Sequence, residues 1–148
     1  TAREIYRALD GNIDCFIAGF GTGGTLSGTA KYLKEQKLEI KIIGLEPLSS
    51  SYILKRKVGP HKIQGIGAGF QPGNLKLEYV DEILAISDSD AYDFTRILAK
   101  EEGLLCGISS GCNLCGAIEI AKKYKYKNIV TVFPDNGERY LSVEGLYE

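Results

Sequence analysis

Short apolar runs alternate with longer amphipathic stretches along this chain. The apolar runs, at residues 15–18, 42–46, 82–86 and 128–133, are each bounded by Gly, Pro, Asp or Ser and read as strands. Their apolar character suits strands covered on both faces, the condition of a parallel sheet. Between them, apolar residues recur at helical spacing over about 24–35 (Leu26, Ala30, Leu33), 88–101 (Ala91, Phe94, Leu98) and 111–123, and a further helix-like run opens the chain (Ala2, Ile5, Tyr6, Leu9). Ser87 precedes the 88–101 stretch as an N-cap, Asp90 follows three residues on, and Gly103 lies just past its end. This alternation predicts a single α/β domain over residues 1–148, an open, mostly parallel sheet flanked by helices. The segment 48–78 is less regular, and its glycines and prolines make a long connection of the kind that often carries function.

Charge narrows the ligand class. Eighteen Lys and Arg against nineteen Asp and Glu leave a formal net charge of -1, so no overall field draws the chain to nucleic acid or an anionic membrane, and the tyrosines suggest no base-stacking surface. The expected ligand is a small molecule. No stretch reaches the apolar length of a spanning helix and no signal-peptide pattern opens the chain, which makes the cytoplasm the expected location. The sequence contains no methionine. Without an initiator residue, and with a helix-like run starting at once, it reads as part of a longer chain.

Of the four cysteines, Cys112 and Cys115 form a CxxC. With His61 the single histidine and no further ligands at suitable spacing, no metal site is expected. A thioredoxin-like pair at the start of a helix stays open as a redox alternative. The plainer reading is packing, because Cys115 lies beside the stripe Leu114, Ala117, Ile118, Ala121.

Two glycine-bearing junctions carry the candidate chemistry. Gly21-Thr22-Gly23-Gly24-Thr25 stands between the first strand and the helix after it. Glycines there let successive amides approach an anion, the helix points its positive end at the same spot, and the two threonines add hydroxyls, so the motif reads as a phosphate cradle. Gly19, Gly21 and Gly24 also spell G-x-G-x-x-G, with Glu46 placed 22 residues beyond Gly24 where a ribose-binding acid belongs, which leaves a dinucleotide site as an alternative. The second junction is Cys106-Gly107-Ile108-Ser109-Ser110-Gly111. Ser110 reads as the cap of the 111–123 helix, and Ser109 as a binding hydroxyl in the crevice at the strand ends rather than a nucleophile.

Taken together, Gly21 to Thr25, Gln64-Gly65-Ile66-Gly67-Ala68-Gly69-Phe70, Gly107 to Gly111 and Pro134-Asp135-Asn136-Gly137-Glu138-Arg139-Tyr140-Leu141-Ser142 resemble the cysteine synthase (O-acetylserine sulfhydrylase) family, in the family's order and over nearly the whole chain. The resemblance implies the large domain of a fold-type-II pyridoxal 5'-phosphate (PLP) enzyme, with this chain as its C-terminal part. It implies that Gly21, Thr22, Gly23, Gly24 and Thr25 hold the cofactor phosphate, that Ser109 meets the pyridine nitrogen, and that Gln64, Gly65 and Gly67 line the substrate entrance. The implied reaction is β-replacement, in which O-acetylserine loses acetate and sulfide adds to give cysteine. A serine at the ring nitrogen, unlike an aspartate, leaves that nitrogen largely unprotonated, which suits elimination at the β carbon.

The family places its reactive lysine in an N-terminal Ser-Val-Lys-type motif, with an asparagine for the ring hydroxyl and a substrate-carboxylate loop nearby. None of these is in this sequence, and Lys62 reads as part of a solvated loop. No catalytic residue is therefore assigned here, and the isolated chain is expected to be inactive unless a second chain supplies the rest. Such truncation would leave strand 15–18 or a neighbour as an exposed edge. The resemblance further implies an amino-acid substrate, a homodimer in the complete enzyme, and the tail of a serine acetyltransferase as a partner. Cystathionine β-synthase-like replacement, serine or threonine dehydratase activity and a non-catalytic PLP- or partner-binding module remain alternatives. His61 reads as a surface or entrance residue, pH-responsive by its chemistry, and Glu138 and Arg139 as an ion pair with each other or with neighbours.

Overall fold

The computed structural model describes residues 1–147. Helix α1 (Ala2–Ala8) is followed by β1 (Cys15–Gly19), α2 (Gly24–Gln36), β2 (Lys41–Pro47), the short α3 (Tyr52–Lys55), β3 (Glu82–Ile86), α4 (Asp88–Glu101), α5 (Ile108–Lys123) and β4 (Ile129–Thr131). The strands form one parallel sheet in the order β3-β2-β1-β4. The exposed edge falls on a neighbour of strand 15–18 rather than on that strand itself: β1 pairs with β2 on one side and β4 on the other, and the edges among the described residues are β3 and β4.

Alternation along the strands splits the core between the two faces of the sheet. Cys15, Ile17, Ile43 and Leu45 face α5, where Ile108, Cys112, Cys115 and Ile120 meet them. Phe16, Ala18 and Ile42 face α2, where Leu26, Ala30 and Leu33 are fully buried. Each of the large buried side chains contributes about 1.5–3 kcal/mol through water exclusion. The two central strands are thus covered on both faces, as their apolar composition requires.

Helix α4 follows its sequence signals closely. The Ser87 hydroxyl accepts the Asp90 amide at 3.1 Å, and beyond the helix Gly103 turns with φ +67° while Leu104 N–H closes back on the Leu98 carbonyl at 2.8 Å.

Helix α5 departs from expectation. It begins at Ile108, three residues earlier than the spacing predicted, with Gly107 as its N-cap, so Ser109 and Ser110 belong to the first turn and neither caps it. The reason lies in packing: Ile108, Ser110 and Cys112 are fully buried where α5 lies against the sheet and α4. The predicted stripe is rotated as well. Cys115 is buried, but Leu114, Ala117 and Ile118 are half-buried and Ala121 is exposed, whereas Ile108, Cys112 and Ile120 form the inward face.

At the opposite end of the sheet, Lys123, Lys125 and Lys127 alternate with Tyr124 and Tyr126. The two rings stack on each other, centroids 5.1 Å apart, and the Tyr124 hydroxyl donates to Glu82.

Candidate functional site

The C-terminal ends of β1 and β4, the starts of α2 and α5, and the loop through Gln64 surround a cleft of about 340 Å3. Parallel strands release their chain at one edge of the sheet, so the loops that follow them converge there.

On one side stands the junction from β1 to α2. Gly23, the N-cap of α2, has φ +85°, and a Cβ there would lie 2.9 Å from the Leu75 backbone. A Cβ on Gly21 would overlap the Gly65 carbonyl oxygen. The loop is therefore confined between residues 64–66 and Leu75, and only glycine fits at both points. Among the described residues, no turn, loop or cap hydrogen bond is donated by the amides of Gly21, Thr22, Gly23, Gly24 or Thr25. Thr22, Gly24 and Thr25 are exposed. These free amides stand at the positive end of a 13-residue helix, an arrangement that can hold an anion.

On the other side stands the first turn of α5. Ser109 is buried yet lines the cleft. Asp135, which follows β4, has its Oδ2 bonded to the Tyr140 hydroxyl at 2.5 Å, while its Oδ1 is buried without a partner in the protein. Burial first, and then the bond to Asp135 and its charge, push the Tyr140 hydroxyl up to about 12. That hydroxyl stays protonated and acts as a donor.

Asn113 joins the two sides. It is 1% exposed; its Oδ1 accepts the Gly19 amide and its Nδ2 donates to the Val132 carbonyl, both at 2.7 Å. One side chain thus ties the end of β1 to the chain leaving β4. Sequence reasoning missed Asn113 because it sits in the middle of a helix, where an asparagine carries no local signal; its position one turn after Ser109 was the available clue.

The other predicted site residues are distributed as follows. Gln64 and Gly65 reach the cleft wall, but Gly67 does not, being packed against Pro47 and His61. His61 is half-buried, and its Nε2–H donates to the Gly67 carbonyl at 3.1 Å, so it pins the loop rather than facing the cleft. Glu46 is 2% exposed and both its carboxylate oxygens cap α3, accepting Ile53 N–H at 2.9 Å and Leu54 N–H at 3.0 Å. It is not available to a ribose. Glu138 and Arg139 take part in no ion pair among the described residues; Arg139 lines the cleft instead. The CxxC pair is buried and free, and burial drives both thiols up, Cys115 to about 12, which removes the thiolate that redox exchange needs. Among the described residues no cluster of three metal-type ligands occurs and no helix is long and apolar enough to cross a membrane.

The residues present fit a small, flat ligand with a phosphate tail. The junction offers amide donors that a phosphate's oxygens could take, the cleft is within the range of ligand pockets, and the wall opposite includes Ser109.

Comparison with known proteins agrees. Residues 1–135 match the family described as "Pyridoxal-phosphate dependent enzyme". The chain is 49% identical over 144 residues to cysteine synthase B of Campylobacter jejuni, covering 97% of this chain and 48% of that protein. Among solved structures, it resembles O-acetyl serine sulfhydrylase isoform 3 of Entamoeba histolytica (TM-score 0.95, 40% identity, 99% of this chain and 44% of that one). It also resembles the O-acetylserine dependent cystathionine beta-synthase of Helicobacter pylori (TM-score 0.92, 42% identity, 99% of this chain and 48% of that one). The chain spans about half the length of the curated relatives it matches.

Proposed function

The chain belongs to the pyridoxal-phosphate dependent enzymes, and on that premise we propose that it is the cofactor-cradling C-terminal part of a cysteine synthase, which makes cysteine from O-acetylserine and sulfide. The observation that carries this reading is the row of free amides from Gly21 to Thr25 facing Ser109 across one cleft.

When bound, PLP supplies a ring that withdraws electrons from the substrate's reacting carbons. The chain's own residues do the holding. The amides of residues 21–25 bind the phosphate, with the Thr22 and Thr25 hydroxyls as further donors. Ser109 meets the ring nitrogen, and Gln64 and Gly65 wall the side from which the amino acid arrives. Asn113 keeps the two halves of the cradle at fixed spacing, the rigid support that a binding site needs. The lysine that bonds to the cofactor belongs, in this reading, to a part of the enzyme outside this sequence.

A homodimer, a serine acetyltransferase tail as partner, and a cytoplasmic setting are parts of the same proposal. A second reading concerns the acceptor alone. The Helicobacter pylori protein is an O-acetylserine dependent cystathionine beta-synthase, which supports cystathionine β-synthase-like replacement from the same donor.

The test is an absorbance titration of this chain with PLP, followed by borohydride reduction and peptide mapping. Saturable binding that leaves no specific lysyl adduct supports the proposal. A stoichiometric adduct at one lysine, or no binding, overturns it.

A further inference from the structure

Helix α5 carries Ser109 in its first turn but has no cap of its own. Its N-cap is Gly107, and a Cβ there would overlap the Asp135 side chain and the Tyr140 ring, so a capping side chain has no room. The chain entering α5 is held from outside instead. Residues 105–107 run antiparallel to residues 135–137: Cys106 bridges Asn136, Gly107 N–H donates to the Asp135 carbonyl at 3.3 Å, and Gly137 N–H donates to the Leu105 carbonyl at 2.8 Å. A third tie comes from farther along the chain. The Tyr147 hydroxyl donates to the Cys106 carbonyl at 2.7 Å and lies 3.4 Å from the Gly137 carbonyl, so one phenol stands over both sides of the pairing.

Tyr147 belongs to a segment with its own anchors. Leu146 is 1% exposed in the core on the α5 side of the sheet, and the Tyr147 ring packs against the same cluster. Arg96 of α4 donates to the Gly145 carbonyl from Nε at 3.0 Å and from Nη2 at 2.8 Å. Burial, with Cys106 and Asp135 adding to it, holds the Tyr147 hydroxyl above the ordinary tyrosine range, so it stays protonated and remains a donor. Tyr147 itself does not line the cleft, whereas Ser109 does. Whatever Tyr147 does for the cleft, it does through the backbone at Cys106, three residues before Ser109.

Resting on the cofactor reading above, we propose that Tyr147 is a positioning residue for Ser109: by holding the Cys106 carbonyl it fixes where the Ser109 hydroxyl meets the ring nitrogen. A hydroxyl bond is made over only a few tenths of an ångström and a limited angle, so a first turn without a cap needs such a support to keep the contact. The phosphate end of the cleft, at α2, is independent of this tie.

The test uses the full chain and two ligands, read by calorimetric titration. One is pyridoxine 5'-phosphate, the alcohol form of the cofactor, which lacks the aldehyde that lysines attack. The other is its 1-deaza analogue, in which a C–H replaces the ring nitrogen. The wild type is expected to prefer the nitrogen-bearing ligand by roughly tenfold, the effect of one hydrogen bond, and Ser109→Ala to lose that preference. Tyr147→Phe keeps the packed ring and deletes only the hydroxyl; it is expected to reduce the preference to about twofold, with the deaza analogue bound as in the wild type. A merely structural role would weaken both ligands alike. A wild-type preference retained in Tyr147→Phe, or equal weakening of both ligands, overturns the inference and leaves the cofactor reading standing. No saturable binding in the wild type, no preference there, or a preference that survives Ser109→Ala overturns the cofactor reading and the inference with it.

Discussion

The two junctions that frame the cleft are both glycine-bearing starts of a helix, yet they are built on opposite principles. At α2 the backbone is exposed at Thr22, Gly24 and Thr25, turns through a left-handed Gly23, and leaves its amides without partners. At α5 every residue from Ile108 to Asn113 is buried, the N-cap Gly107 has an ordinary extended backbone, and Gly111 is pressed against α4. The first is a surface whose amides the protein leaves free. The second is an interior whose groups are completed by the protein, with the Asp135 oxygen and the Ser110 hydroxyl left over. Binding and stability should therefore separate between them under substitution.

The largest effect is expected at the buried junction. A Cβ on Gly111 would overlap both the Ala91 carbonyl and Thr95, which are backbone and fully buried side chain on α4 and cannot yield cheaply. Gly111→Ala should lower the unfolding free energy by about 3 kcal/mol or more, measured by urea denaturation. A loss under 1 kcal/mol would mean that α4 and α5 are less tightly joined than this.

At the exposed junction the effect should fall on the ligand. Gly21→Ala drives the loop away from the Gly65 carbonyl, so PLP affinity should drop by about 100-fold while stability falls by only about 1–2 kcal/mol. Titration and denaturation of the same preparation check the split, and equal damage to both would erase the contrast between the junctions.

The smallest effect has the opposite sign. Gly28 lies on the open face of α2, with nothing within 4 Å of an added Cβ. Gly28→Ala should stabilise the chain by about 0.5–1 kcal/mol through helix propensity, leaving PLP binding unchanged. A destabilised variant would show that the outer face of α2 is not free.

The same contrast explains what the sequence revealed. The α2 junction was legible because its chemistry is local: Gly21 to Thr25 are adjacent, and the strand and helix on either side are marked by periodicity. Helix α4 was legible for a similar reason, with Ser87 and Gly103 acting on their own neighbours. The α5 junction was misread because its boundary is set at a distance. Nothing near Ser109 says that the helix should start at Ile108; the contacts with α4 and the sheet decide it. Asn113 was missed for the same reason, since it reaches back 94 residues to Gly19. Glu46 was offered to a ribose because spacing cannot tell a side chain facing a cleft from one already engaged by the amides of α3.

The four buried cysteines give the molecule a clock. Each is free, and burial holds each thiol high, Cys15 to about 12 with Asp81, Glu82 and Asp14 adding to it. An alkylating reagent meets neither surface nor thiolate until the fold opens. Cys15 lies on a central strand and Cys112 in α5, whereas Cys106, just before α5, is 8% exposed. The order in which these sulfurs are labelled is thus a record of which part of the sheet comes apart first, written without a single substitution.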